Sequence, residues 1–316
     1  MSATSRQRLA KGIRWAARIM QSAQDLGYSW NKLPKLIYQD LCRPECDKCN
    51  LGCPHGAKWD AQHYIREAIE NGAVMVDRAK VVRILTEGQK AAGVEYIRRT
   101  KKHRVYAEKL VIAAGGIGTP AILHTAGIKN AGNDFFVDPI ITVFGTVKNM
   151  KGGKEIPMAA GMCFENEGYL MTDMTMPKFF YQIFSTQVGR IDKLLSHSKT
   201  LTIMVKAKDS LGGRVTDKGG VRKTLSKDDL AKLMKGYDRA KAILANAGAK
   251  NIYRSWYLAS HPGGTAKIGE TVDSNLETEL KDLYVCDCSV IPESWGLPPI
   301  LTIIGLGKRL ANHIIM

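Results

Sequence analysis

Helical stretches can be recognised in the chain by apolar residues that recur every three or four positions. An N-terminal stretch, residues 1–24, sets basic side chains around an apolar face and predicts an amphipathic helix, with a mitochondrial transit peptide as the alternative. Asp60 is typical of an N-cap, and Asn71-Gly72 of a helix end, so a second helix is predicted between them. The capping box at 226–229 predicts a further helix.

Strand-like stretches in the first half of the chain cover Val74 to Leu85, Gly93 to Arg98 and Val105 to Ala114. The third is a continuous apolar run that ends in glycines, and Thr119-Pro120 is expected to open a helix after it. That pattern is typical of a buried parallel strand whose end lies near a ligand. It predicts an α/β sheet of the doubly wound, dinucleotide-binding type.

The segment after about residue 133 has longer β-type stretches, Ile140 to Val147 and Thr200 to Ala207, with glycine pairs at 152–153, 212–213 and 219–220 predicted as turns. It predicts an antiparallel sheet in a second module. The end of the chain returns to the first pattern, with an apolar run from Leu283 to Pro292 and a helix opened by Pro298-Pro299.

The predicted fold is therefore α/β of the α+β type, with a discontinuous first domain. The N-terminal helix and a cysteine-rich loop would occupy residues 1–60, and an incomplete, discontinuous dinucleotide-binding domain would be built from 61–132 and 251–316. Residues 133–250 would form an antiparallel substrate domain.

Composition narrows the class of protein. The 316 residues are 45% hydrophobic and 24% charged, which is ordinary for a globular protein, and no apolar run is long enough for a transmembrane helix. The net charge of +16 comes from scattered Lys and Arg without interleaved aromatic residues, so no nucleic-acid partner is predicted. Seven cysteines, an odd number, indicate a reducing compartment. We expect a cytoplasmic protein, with peripheral membrane association left open.

Four of the cysteines, Cys42, Cys46, Cys49 and Cys53, lie within twelve residues in the spacing C-x3-C-x2-C-x3-C-P. Thiolates at this spacing suit an iron-sulfur cluster, which we favour. Structural zinc also takes four thiolates, but most zinc folds separate two cysteine pairs by a longer loop. Reduced or disulfide-linked cysteines in a packed loop are the third interpretation.

Four motifs carry a family resemblance: Gly52 to Lys58, Ala113 to Gly127, His261 to Thr265, and Asp287 to Pro292. In this order they resemble the C-terminal two thirds of a glucose-methanol-choline (GMC) flavoprotein oxidoreductase. The resemblance implies oxidation of a hydroxylated small molecule by hydride transfer to flavin N5, with His261 as the general base.

The resemblance also implies how FAD would be bound. Val81 would contact adenine through its backbone, Ala114 and Gly115 would approach the dinucleotide, and Asp287 would bind the ribityl or pyrophosphate region. The remaining positions expected near FAD are Cys288, Pro299 and Ile300.

Two departures from the family pattern change these expectations. Pro298 stands where family members have a second active-site His or Asn, and proline has no side-chain donor or acceptor. The chain also has no Gly-x-Gly-x-x-Gly turn at a strand-to-helix junction for the FAD pyrophosphate. We therefore predict a split enzyme, in which a separate polypeptide supplies the N-terminal FAD-binding segment. A truncated or defective gene product would have the same sequence pattern.

The predicted function is a flavin-dependent dehydrogenase whose electrons leave through the cluster to an acceptor protein. Sugar dehydrogenases of the family carry a three-iron cluster at the corresponding place, but only Cys49 and Cys53 match their cysteines, so 4Fe-4S and 3Fe-4S both stay open. The alternative is a noncatalytic electron-transfer or scaffold subunit of a redox complex. A basic, zinc-bearing nucleic-acid protein ranks last.

Overall fold

The structure is a computed structural model that describes residues 14–43, 45–148 and 150–315. The chain divides into two compact units, each built from separated stretches of sequence. Unit 1 takes the described residues up to Ala73 with Ile140–Ala207 and Leu230–Leu258, and unit 2 takes Val74–Pro139, Lys208–Asp229 and residues from Ala259 onward.

The described helices are α1 (Arg14–Asp25), α2 (Gln62–Glu70), α3 (Gly115–Leu123), α4 (Lys178–Gln187), α5 (Lys227–Asn246) and α6 (Ile300–Ile315). The described strands are β1 (Asn31–Lys32), β2 (Lys80–Glu87), β3 (Lys90–Arg98), β4 (Lys101–Tyr106), β5 (Leu110–Ile112), β6 (Asn133–Phe135), β7 (Pro139–Thr146), β8 (Ala160–Phe164), β9 (Tyr169–Asp173), β10 (Thr200–Ala207), β11 (Gly212–Val215), β12 (Val221–Arg222), β13 (Lys250–Arg254), β14 (Leu258–Ala259) and β15 (Leu283–Val285).

Unit 1 is organised around a seven-stranded sheet in the order β1-β8-β9-β10-β7-β13, with β14 also pairing β7. The pairs along this order are antiparallel. Every residue of β10 is buried, although one face carries only apolar side chains and the other includes Thr200, Thr202 and Lys206. On one side of the sheet Phe144, Tyr181 and Tyr253 pack together as an aromatic cluster.

Unit 2 contains three small sheets. Strands β5 and β15 pair in parallel, β2-β3-β4 form an antiparallel meander, and β12-β11-β6 form a third sheet. The core between them gathers apolar side chains from both ends of the unit's sequence, among them Ile84, Ile112, Leu123, Leu283 and Leu310. This discontinuous core brings three of the four family motifs, those at 113–127, 261–265 and 287–292, into one unit, whereas the motif at 52–58 lies in unit 1.

The mixed α/β architecture with antiparallel sheets agrees with the predicted fold class. The predicted strand at 200–207 and the capping box at 226–229 are confirmed, and in that box the backbone N–H of Asp229 donates to the Ser226 hydroxyl. The predicted helix ending at Asn71-Gly72 is also confirmed, but its N-cap is Ala61 and not the predicted Asp60, whose carboxylate accepts from Gln62 N.

Four sequence predictions about elements are wrong. Thr119-Pro120 does not open a helix, because α3 begins at Gly115 and Pro120 lies inside it. The stretch 105–114 is not one strand, because the chain leaves the β2-β3-β4 sheet after Tyr106 and pairs with β15 only from Leu110. Residues 74–79 precede β2 and are not part of it. The pair at 212–213 begins strand β11, since Gly212 pairs with Phe135 of β6.

Two further predictions, the N-terminal helix and the domain boundaries, agree with the structure only in part. Helix α1 overlaps the predicted N-terminal helix of residues 1–24 from Arg14 and ends one residue later, at Asp25, while residues 1–13 of the prediction lie outside the described residues. The two units do not coincide segment for segment with the predicted domains, because 208–229 groups with unit 2 and the cysteine loop groups with unit 1. No α-helix in the described part of the chain is long and apolar enough to cross a bilayer.

Candidate active site

The carboxyl ends of β5 and β15 are joined by the side chain of Asp287. Its Oδ2 accepts from Gly115 N at 2.8 Å and from the Thr119 hydroxyl at 2.5 Å, and its Oδ1 accepts from Ser289 N at 2.7 Å. Gly115 has a φ of 76°, which lets the chain turn sharply from β5 into α3. The carboxylate therefore connects two strand ends and the N-terminus of α3.

The same strand end exposes small side chains. Ala113 and Ala114 are both exposed, and a Cβ added to Gly115 would meet no atom within 4 Å. An open, side-chain-poor backbone at the end of a parallel strand suits close approach of a dinucleotide. Ala114, Gly115 and Asp287, three of the predicted cofactor residues, are thus brought together.

The segment from His261 to Thr265 packs directly on this strand end. The Thr265 hydroxyl donates to Gly116 O at 2.8 Å, the Cys288 thiol donates to Pro262 O at 2.9 Å, and Gly264 N donates to Cys288 O at 3.1 Å. A Cβ on Gly116 would lie 2.0 Å from the Pro262 carbonyl oxygen, so only glycine permits this contact. These bonds hold the segment that follows His261 against the two strand ends that Asp287 connects.

The ring of His261 contacts a buried carboxylate. Its Nδ1 lies 3.1 Å from Asp138 Oδ2, and the side chain of His261 is 30% exposed. Asp138 is 1% exposed, and its Oδ1 accepts from the Ser294 hydroxyl at 2.9 Å. Asp138 could not be predicted from the sequence, because nothing in the spacing links position 138 to position 261.

The other predicted cofactor residues lie elsewhere in unit 2. Pro299 and Ile300 stand at the N-terminus of α6, where Ile300 is exposed and the first N–H groups of the helix point outward along its axis. Val81 is half-buried on edge strand β2, where it pairs with Tyr96. No hydrogen bond between described residues joins Val81 or Ile300 to Asp287.

The cysteine loop is anchored at both ends in unit 1. Tyr38 N donates to Ala57 O at 2.7 Å and Trp59 N donates to Leu36 O at 3.0 Å, which clamps the entering and leaving chain together. Within the loop, Lys58 Nζ donates to the carbonyl of Cys49 at 3.0 Å. The loop is therefore a folded part of unit 1.

The thiols of the loop influence one another. Burial, followed by the neighbouring thiols, raises the pKa of Cys42 and of Cys49. Partial burial raises the pKa of Cys53 by favouring the neutral thiol, but hydrogen bonds from backbone N–H groups of the 55–58 segment outweigh it, so the pKa of Cys53 is lowered. No three His, Cys, Asp or Glu side chains among the described residues stand in a metal-ligand arrangement, so the structure does not assemble the four thiols into a cluster site.

A cleft of about 450 Å³ opens beside Cys53 in unit 1. Lys58, His63 and Arg66 line it together with Asp60, and the ring of His63 stacks on Trp59. The lining of the cleft is mixed, because Leu51 and Pro54 contribute apolar surface beside these charged side chains.

Two family models, both described as GMC oxidoreductase, match residues 3–144 and 220–307. The chain belongs to the GMC oxidoreductase family. Membership implies FAD as the cofactor. The open strand end at Ala114 and Gly115, the carboxylate of Asp287 and the N-terminus of α6 fit part of a dinucleotide, and the turn for the pyrophosphate is the element that these 316 residues lack.

Relatives of this GMC chain include an uncharacterized protein and several long-chain-alcohol oxidases. It is 30% identical to an uncharacterized protein of Methanocaldococcus jannaschii over 298 residues, which covers 92% of this chain and 72% of the relative. It is 23% identical to the long-chain-alcohol oxidase FAO1 of Arabidopsis thaliana, over 85% of this chain and 45% of the oxidase. The chain therefore spans about half the length of the plant relative.

The fold of the GMC chain also matches solved structures. Pyridoxine 4-oxidase from Mesorbium loti superposes with a TM-score of 0.67 at 13% identity, over 96% of this chain and 70% of that enzyme. At this identity the match shows the fold alone. It agrees with the mixed α/β architecture of the two units.

Proposed function

We propose that this chain is the catalytic part of a flavin-dependent dehydrogenase that converts a CH–OH group into a carbonyl, with His261 as the general base. The observation that carries the proposal is the packing of the His261–Thr265 segment on Gly116 and Cys288, at the strand ends that Asp287 joins. The names of the plant relatives, long-chain-alcohol oxidases, support a hydroxylated substrate.

In this reaction His261 takes the proton of the substrate hydroxyl while the adjacent carbon loses a hydride, so that CH–OH becomes C=O. FAD, when bound, supplies the hydride acceptor. Asp287 and the backbone at Ala114 and Gly115 would hold part of the cofactor, and the N–H groups at the start of α6 would face its electron-rich carbonyls.

The second active-site position of the family has no side-chain donor here, because it is Pro298. Ser294 is buried and donates to Asp138, which leaves it engaged. Trp295 is 37% exposed and carries an indole N–H, so we propose it as the group that could hydrogen-bond the substrate oxygen in place of the missing His or Asn.

The base role is tested by His261→Ala in the enzyme reconstituted with FAD and its partner polypeptide. Loss of a general base slows catalysis by roughly 10²- to 10⁴-fold, so flavin reduction by a panel of alcohols should slow by that factor. His103→Ala is the matched control, because His103 lies exposed on β4. Equal flavin reduction in wild type and His261→Ala would contradict the role of the residue.

We propose further that the cysteine loop binds an iron-sulfur cluster, which would supply one-electron transfer to an acceptor protein. The support is the group of four half-buried thiols in one anchored loop and the backbone N–H groups that favour a thiolate at Cys53. Because the described thiols do not form a ligand set, cluster binding would require the loop to rearrange locally.

The cluster is tested by metal analysis of protein purified without oxygen. Iron and acid-labile sulfide should accompany the wild type and be lost in Cys53→Ala. Cys163→Ala is the control, because Cys163 is an exposed thiol of strand β8, outside the loop. Zinc without iron in the wild type would identify a zinc site, and neither metal would favour reduced thiols.

We propose that a separate polypeptide supplies the missing dinucleotide-binding segment. The support is the outer edge of β5, because in the described residues β5 pairs only with β15. Val111 of this strand is 43% exposed, although the apolar sequence of the strand is typical of a buried one. Parallel sheets of two strands are seldom stable alone, so β5 is suited to accept a further parallel strand.

Purification from the native source tests this arrangement. A yellow complex that contains a second, dinucleotide-binding polypeptide is the expected result. A folded, monomeric and colourless chain would contradict it, and a longer single chain would show that the segment belongs to the same polypeptide. A complex that forms and carries iron, but whose flavin no alcohol reduces, would favour the alternative of an electron-transfer or scaffold subunit. The absence of a side-chain donor at Pro298 is consistent with that alternative.

A further inference from the structure

Asp138 is a buried carboxylate whose two oxygens point at two different side chains. It lies directly before β7 with a φ of 45° and is 1% exposed. Oδ2 contacts His261 Nδ1 at 3.1 Å, while Oδ1 accepts from the Ser294 hydroxyl at 2.9 Å. A carboxylate this deeply buried is costly unless both oxygens are hydrogen-bonded, which these contacts achieve.

The contact with Asp138 determines which nitrogen of His261 carries the proton. An ionised carboxylate only accepts hydrogen bonds, so Nδ1 must be the donor in this pair. In the neutral ring the lone pair then belongs to Nε2. We propose that Asp138 is a positioning residue that holds His261 in the Nδ1–H tautomer, with Nε2 as the basic atom, and stabilises the positive charge that the ring gains when it takes a proton.

The position of Asp138 is itself fixed from behind by a second buried pair. Asp209 Oδ1 accepts from Asp138 N at 3.0 Å, and Lys223 Nζ lies 2.9 Å from Asp209 Oδ2 with both side chains buried. The backbone carbonyl of Asp138 accepts from the Ser260 hydroxyl at 2.9 Å. The backbone and the side chain of Asp138 are therefore both held in place, so its carboxylate is already oriented toward His261.

A purely structural role for Asp138 would make a different prediction. The carboxylate could serve only to tie the 294 loop to β7 through Ser294, and the His261 contact would then be incidental. In that case the tautomer of His261 would not depend on Asp138. The proposal rests on the assignment of His261 as the base, but its test does not need activity.

The test is NMR of the full chain with ¹⁵N-labelled histidine, in which the ring nitrogens of the seven histidines report protonation and tautomer. His261→Gln identifies the His261 signals by their loss. The wild-type ring, when neutral, should be in the Nδ1–H form. Asp138→Ala should move it toward the Nε2–H form, whereas Ser294→Ala, which removes the other bond of the same carboxylate, should leave the tautomer unchanged.

An Nε2–H tautomer in the wild type would overturn the proposal even if Asp138→Ala did not fold. Retention of the Nδ1–H form in Asp138→Ala, or an equal change in Ser294→Ala, would overturn it as well. In the reconstituted enzyme, Asp138→Ala should slow flavin reduction by between roughly 10- and 10⁴-fold with little change in KM. If the tautomer behaves as expected while His261→Ala keeps full activity, the proposed function fails and the positioning role stands.

Discussion

Asp173 is a carboxylate at the end of β9 that folding removes from water. It is 2% exposed, and burial raises its pKa to about 7, against the opposing effects of the Ala160 N–H and the charge of Lys35. Its Oδ1 accepts from Ala160 N at 2.6 Å, whereas Oδ2 has no hydrogen-bond partner among the described residues. The ionised form is therefore disfavoured in the folded protein.

This shift predicts a stability that depends on pH. The folded-state pKa of Asp173 lies above the unfolded value of 3.8, so the folded state binds the proton more tightly than the unfolded state. The free energy of unfolding therefore has its full value below about pH 3.8, and it falls as pH rises through about 7 because the buried carboxyl must then ionise. Asp173→Asn removes the titrating group. We expect wild type to lose stability relative to this variant between pH 4 and 8, by a few kcal/mol, since each pKa unit corresponds to about 1.4 kcal/mol.

Thermal or urea unfolding of both proteins at several pH values measures the difference. Asp40→Asn, at an exposed carboxylate, is the control and should follow the wild type across the range. A difference between wild type and Asp173→Asn that stays constant from pH 4 to 8 would contradict the burial of an ionising group at this position.

At the scale of elements, the approach of α3 to the His261–Thr265 segment depends on Gly116. A Cβ there would lie 2.0 Å from Pro262 O and 2.5 Å from its carbonyl carbon, and both are backbone atoms that cannot turn aside. The helix and the loop that carries the proposed base can therefore touch only because position 116 has no side chain.

Gly116→Ala should therefore separate α3 from the loop. We expect a loss of about 1–3 kcal/mol in the free energy of unfolding, or more, because overpacking at a rigid contact costs that much. Gly305→Ala is the matched control, since Gly305 is exposed within α6 and an added Cβ meets nothing within 4 Å. It should be neutral or stabilising by up to roughly 1 kcal/mol. Equal stability of both variants would contradict the close contact.

At the scale of the whole molecule, the open edge of β5 is where we expect the partner polypeptide to add a strand. Leu110 N donates to Asp282 O at 2.9 Å and Ile112 O accepts from Cys286 N, so the alternation of a parallel strand directs Val111 N to the opposite edge, away from β15. Adjacent amides of one strand therefore differ in protection.

Hydrogen exchange measured residue by residue distinguishes the two amides. In the isolated chain Val111 N–H should exchange quickly and Leu110 N–H slowly. On binding of the FAD-containing partner, exchange at Val111 should slow by at least tenfold, while Leu110, the internal control, stays protected. Unchanged exchange at Val111 in a complex that retains FAD would show that the partner docks elsewhere.

Several elements were predictable because their cause is local. The apolar residues of strand β10 recur at every second position from Leu201 to Ala207, and the capping box at 226–229 satisfies its own backbone within four residues. The single strand predicted at 105–114 failed because its two halves pair with different strands, β3 and β15, and β15 lies more than 170 positions further along the chain. Strand partners that distant leave no local trace in hydrophobicity.

The sequence by itself determined the order of the family motifs, the grouping of four cysteines and the candidate base His261, because each is a property of neighbouring residues. Only the tertiary structure decided what His261 touches. Its carboxylate partner Asp138 is 123 positions away in sequence, and it meets the ring only because Gly116, Gly263 and Gly264 let the segment from 261 to 265 pack closely inside unit 2. Such a contact depends on how distant backbones approach one another, which no spacing of residues along the chain encodes.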